Sequence, residues 1–134
     1  MVEVAHAVYD LTGLGVVVLS PADPRVVGAI GEFLFVASDP VQSIKRVQSR
    51  HLAMIAVSDF VWLCAPDGYV GVSAAMEIGF AEGKGVPVFT RDRLMDATLR
   101  EFVVRVDSQS VALEQVNRRP RSVKAHDWAH ASGL

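Results

Sequence analysis

A chain of 134 residues is long enough for one packed core and short for two. Hydrophobic residues make up 51% and charged residues 21%, which excludes disorder of the whole chain. A formal net charge of −2 gives no broad attraction for polymeric nucleic acid or an anionic membrane surface.

The first residues, MVEVAHAVYDLTG, lack the basic flank and apolar segment of a secretion signal. No apolar run approaches the roughly 20 residues that span a bilayer, so a cytoplasmic protein without a membrane partner is expected. Val4, Ala7, Val8 and Leu11 recur at helical spacing and Gly13 and Gly15 suit a stop, predicting a short helix over residues 3–11. GVVVLSP, residues 15–21, reads as a buried strand closed by proline, and PADP after it as a loop. VVGAIGEFLFVAS, residues 26–38, fits either a helix broken by Gly28 and Gly31 or a covering loop. From Val41 to Val57 the stripe Ile44, Val47, His51 and Met54 predicts a helix, with Lys45, Arg46 and Arg50 toward solvent.

DFVWLCA, residues 59–65, is almost wholly apolar, as in a strand covered on both faces, with Trp62 in the core. The single cysteine, Cys64, lies in this run and reads as a buried structural thiol. A loop, PDGYVGV, precedes a helix over residues 73–84 that stops at Gly85, and VPVFT, residues 86–90, is the next strand. A short helix (95–101), a strand (102–106) and a helix (111–116) follow. One domain over residues 1–117 and a polar tail over residues 118–134 are the expected organisation. In that tail Arg118, Arg119 and Arg121 read as a solvated linker. His126 and His130, four apart, could share a metal on a helix, but no third ligand is evident and no metal site is expected.

Apolar strands alternating with helices predict an α/β fold with a parallel sheet between helical layers. Ligands bind such sheets beyond the strand carboxyl ends, which is where PDGYVGVS falls. Gly68 and Gly71 would let the backbone approach a ligand, and the following helix start offers N–H groups to a phosphate. Glu77 stands out on that helix. A capping box would need it three residues after Ser73, where Met76 stands instead. A surface acid facing the helix dipole, or paired with Lys84 or Lys45, is the other ordinary reading.

The run SDFVWLCAPDGYVGVSAAMEIGFAEGKGVPVF, Ser58 to Phe89, resembles the signature of the nucleoside 2-deoxyribosyltransferase-like superfamily, which includes deoxynucleoside-monophosphate N-glycosidases. The resemblance implies a flavodoxin-like or Rossmann-like sheet with helices on both faces. It also implies that Glu77 is a nucleophile at the anomeric carbon of a nucleoside or nucleotide, the glycosyl ester passing to water or to another base. No cofactor is implied. A proton donor to the base is needed, and His51 stands at the position of a family aspartate; a hydrogen-bonded core histidine fits the same placement. Where the family often has a sugar-holding polar residue this chain has Gly71, with Ser73, Tyr69 and Asp67 nearby. Of these Asp67 is the carboxylate best placed at the ligand edge, whereas Asp59 begins its strand and reads as structural.

The family's first strand and glycine loop have no counterpart before Val4. Either the start lies downstream of the ancestral one, or another element or chain fills the central sheet position, or the chain is a degenerate relative. A non-catalytic nucleotide-binding or sensing module is therefore the alternative function, and a homo-oligomer contact on the small-residue helix a third reading.

Overall fold

The computed structural model describes residues 2–21, 23–39, 41–119 and 127–133. Its elements, in chain order, are α1 (Val2–Gly13), β1 (Val17–Ser20), β2 (Val26–Ile30), β3 (Phe33–Val36), α2 (Ile44–Val57), β4 (Phe60–Cys64), α3 (Val72–Gly83), β5 (Val88–Thr90), α4 (Ala97–Arg100), β6 (Val104–Arg105), α5 (Gln109–Asn117) and β7 (Trp128–Gly133). A parallel five-stranded sheet runs β1-β7-β4-β5-β6, and β2 and β3 form a separate antiparallel pair. The expected α/β parallel architecture is present.

β4 sets the two layers. All five of its residues are buried, and successive side chains point to opposite faces. Phe60, Trp62 and Cys64 join Val4, Ala7 and Leu11 of α1 and Ala112 and Val116 of α5. Val61 and Leu63 join Ile55 of α2 and Ala74, Ile78 and Ala81 of α3. The small residues of α3 thus let that helix sit close on the sheet of its own chain. The Cys64 thiol, pushed up to about 12 by burial and then by Asp92 and Glu3, donates to the Glu3 carbonyl at 3.6 Å, in keeping with a structural role.

The tail expected over residues 118–134 is corrected at its far end, where residues 128–133 form an interior strand of the sheet. β7 pairs in parallel with β1 on one side and with β4 on the other, from Phe60–Ala129 to Cys64–Gly133. Ala129 and Ala131 pack on the α1 side, while His130 and Ser132 face the other layer. Asp59 anchors the strand's start: its carboxylate accepts from Trp128 N–H at 2.7 Å, and its own N–H donates to the Trp128 carbonyl at 2.7 Å. An element from the far end of the chain therefore lies between β1 and β4 and pairs with both. Followed from β7 through α1 to β1 and onward, the strands are arranged 2-1-3-4-5, a doubly wound order.

Residues 26–38, left between helix and loop on sequence grounds, form a hairpin. Gly31 takes φ +58° at the first position of a two-residue turn, and the flanking residues are β-branched or aromatic. In α2, capped by Ser43, the fully packed positions are Val47, Gln48 and Ile55 rather than the expected Ile44 and Met54. Ile44, Gln48 and His51 instead share a stripe facing a cavity.

Candidate functional site

A cavity of about 490 Å³ opens beyond the carboxyl ends of β1, β7 and β4, between the sheet, the β2–β3 hairpin and the starts of α2 and α3. That volume suits a small organic ligand. Phe33, Leu34, Val36, Ile44 and Pro21 supply apolar walls, and Glu77, His51, His130 and Ser132 supply a polar floor.

Glu77 reaches this floor because α3 begins at Val72 with Gly71 as its N-cap, so Glu77 lies in the second turn, past any capping position. Its inward neighbours Ala74, Ile78 and Ala81 hold that face of the helix against the sheet. The residue is 4% exposed. Isolating a carboxylate at such depth costs several kcal/mol, and β7 supplies the compensation. His130 Nε2 donates to Glu77 Oε1 at 2.7 Å, and Ser132 Oγ donates to Oε2 at 2.8 Å. Burial pushes the Glu77 carboxyl upward, but His130, His51 and the Ser132 hydroxyl together outweigh it and hold the group below its ordinary range. Glu77 is an acceptor only, so His130 carries its proton on Nε2; His130 Nδ1 has no partner among the described residues.

His51 stands beside this pair. Its Nδ1 is 3.8 Å from Glu77 Oε1, its Nε2 is 3.6 Å from Asp39 Oδ1, and its ring centroid is 5.5 Å from that of His130. Burial lowers its pKa, and the neighbouring His130 lowers it further. Glu77 and Asp39 oppose the shift without reversing it. Asp39 is fixed in turn by the Val36 N–H at 2.7 Å. His51 is thus a half-buried ring on the cavity wall, within reach of both a ligand and Glu77.

The other residues anticipated for the site divide. Tyr69 and Ser73 line the cavity: Tyr69 donates its hydroxyl to Glu32 on the hairpin at 3.0 Å, and the Ser73 carbonyl accepts from Gln48 Nε2 at 3.2 Å. Asp67, Gly68 and Gly71 are not among the lining residues. Asp67 is exposed in a 3-10 turn, Pro66–Gly68, at φ 57°. Gly68 is needed for a different close approach than the one anticipated: at φ +79°, a Cβ there would lie 2.4 Å from the Arg93 carbonyl oxygen. Gly71 is a buried N-cap with φ −77°.

Sequence reasoning missed His130 and Ser132 as partners of Glu77, and Asp39, Gln48, Glu32 and Phe33 around it. The available signal for the first two was the alternation Trp128-Ala129-His130-Ala131-Ser132, period two with both polar groups on one face. His130 lies on a strand rather than a helix, and His126 lies outside the described residues. No group of three or more potential metal ligands occurs among the described residues. No described helix is long and apolar enough to cross a membrane.

Compared with known proteins, the chain matches no family model, no curated protein and no solved structure.

Proposed function

We propose that the chain cleaves or transfers at the N-glycosidic bond of a nucleoside or nucleotide, with Glu77 as nucleophile. The observation that carries this reading is a buried carboxylate, held ionised at the floor of a ligand-sized cavity, with a histidine 3.8 Å away. The resemblance of residues 58–89 to nucleoside 2-deoxyribosyltransferase-like enzymes supports it.

In the first step a Glu77 oxygen bonds to C1′ and the C1′–N bond breaks, its electron pair leaving with the base. His51, when protonated, donates a proton to that base. In the second step water, or a second base, displaces the ester and restores the carboxylate. His130 and Ser132 fix the carboxylate and spread its charge, acting as positioning residues.

The test is base release from a nucleoside and nucleotide panel, followed by chromatography. Glu77→Gln, which keeps an acceptor for His130, is expected to lose at least about 1000-fold in kcat while retaining a cooperative melt. Undiminished turnover by that variant excludes the reading. Release of an uncharged base needs Glu77 ionised and His51 protonated, so its rate rises as pH climbs through the lowered Glu77 pKa and falls again through a His51 pKa below 6.5.

One observation favours a second reading, a nucleotide-binding module without turnover. Both Glu77 oxygens already accept hydrogen bonds from β7, so the carboxylate also acts as a clamp between α3 and that strand. Ligand-dependent thermal stabilisation with no free base distinguishes this reading from the first.

A further inference from the structure

The cavity is lined mainly by acceptors, and most of its side-chain donors are already paired. Among the described lining residues there is no lysine or arginine. The Tyr69 hydroxyl is committed to Glu32, Gln48 Nε2 to the Ser73 carbonyl, and His130 and Ser132 to Glu77. Apart from the Ser73 hydroxyl and the His51 ring N–H, what remains accepts. Gln48 Oε1, on a residue 7% exposed, is buried without a partner, and the carboxylates of Glu32 and Glu77 keep further lone pairs. A third carboxylate, Asp39, stands 3.6 Å behind His51. Phe33, Tyr69 and His51 add π faces to the lining.

Such a lining is complementary to a ligand that brings hydrogen-bond donors and positive charge, above all a planar cation. A phosphate dianion meets the reverse. Two carboxylates line its path, and besides the Ser73 hydroxyl and the His51 ring only backbone N–H groups at the start of α3 are available to receive it.

We propose that this cavity selects an unphosphorylated N-riboside whose base carries a fixed positive charge, a pyridinium riboside being the simplest case. The proposal rests on the N-glycosidic reading above and names its substrate class. Glu77 oxygen bonds to C1′ as C1′–N breaks, and the electron pair cancels the charge on the ring nitrogen, so the base leaves neutral without a proton donor. Water then attacks C1′ of the ester and passes a proton to His51, and Glu77 departs as carboxylate. The sum is riboside cation plus water giving free sugar, neutral base and a proton. A histidine kept neutral by burial suits the acceptor's part in this sequence.

The experiment compares nicotinamide riboside, nicotinamide mononucleotide, inosine and 2′-deoxyinosine as substrates of the intact chain, with base release read by chromatography from pH 5 to pH 8. The expected result is a kcat/KM for nicotinamide riboside at least about tenfold above each of the other three at pH 7.5. Its rate should rise with pH through the His51 titration, opposite to the fall expected for the uncharged bases. Glu32→Gln is expected to narrow the preference over inosine. Equal or better turnover of inosine, 2′-deoxyinosine or the mononucleotide overturns the substrate class and leaves the N-glycosidic reading standing. Release from none of the four overturns that reading instead. Thermal shifts then decide the charge preference alone: stabilisation by nicotinamide riboside but not inosine upholds it, and equal or absent shifts overturn it.

Discussion

Glu77 combines two demands on one side chain, a reactive anion toward the cavity and a tie between α3 and β7. Its network is balanced narrowly. Each hydrogen bond to a buried charge is worth about 1.5–3 kcal/mol, comparable to the remaining desolvation cost. Ser132→Ala is therefore expected to destabilise the fold by about 1–3 kcal/mol in urea unfolding and to move the Glu77 pKa upward. Acid lability follows with a definite sign. Glu77 has a folded pKa below its ordinary 4.5, so its stabilisation is present above pH 4.5 and is lost as pH falls through the folded value. His51 is also lowered. The unfolded chain takes up its proton first, so stability declines as pH falls below 6.5. Melting temperatures of the wild type should fall in two stages between pH 7 and pH 3, and His51→Gln should remove the upper stage. A flat profile from pH 7 to pH 5 in the wild type would refute the assignment to His51.

At the scale of elements, β7 and the hairpin determine the site. Gly133 ends β7 against α1, and a Cβ there would lie 2.8 Å from Val4 Cγ2 and 3.3 Å from the Cys64 carbonyl oxygen. Valine has little rotamer freedom with which to yield. Gly133→Ala is expected to cost about 1–3 kcal/mol as an overpacked contact, measurable as a lower urea midpoint with unchanged slope. These two elements were also the least legible in the sequence. Strands β1 and β4 announce themselves through β-branched and aromatic runs, whereas β7 after Trp128 is built from alanine, histidine, serine and glycine, which carry little intrinsic strand preference. Its identity comes from tertiary pairing on both edges. Glu77 and His51 could be singled out because one sits in a recognisable run and the other on a helical stripe. Their partners could not, since nothing local links position 77 to positions 130 and 132. In the hairpin, glycines that looked like helix breakers are a turn residue and an interior strand position, and a Cβ on Gly28 would meet the Gln42 side chain at 2.8 Å.

For the molecule as a whole, the layered α/β plan was legible because the period of the apolar pattern alternates between strand and helix along most of the chain. Strand order was not, because periodicity carries no information about which edges meet. The order makes the fold depend on β7 more than its six residues suggest. A chain ending at residue 119 would leave β1 and β4 with unpaired inner edges and Glu77 without either donor. It is expected to lose its cooperative thermal transition, and a synthetic peptide of residues 127–133 added at excess is expected to restore it in part. A cooperative melt of the shortened chain without peptide would contradict the central role of β7.

The same placement sets a timetable. A ribosome makes the four other strands of the sheet before the one that joins β1 to β4, so β1 and β4 wait as unjoined neighbours while more than sixty residues are added after β4. Closing contacts this distant in sequence is slow. The charge at Glu77 acquires His130 and Ser132 only at that closing step, so the candidate site and the sheet are completed in a single event.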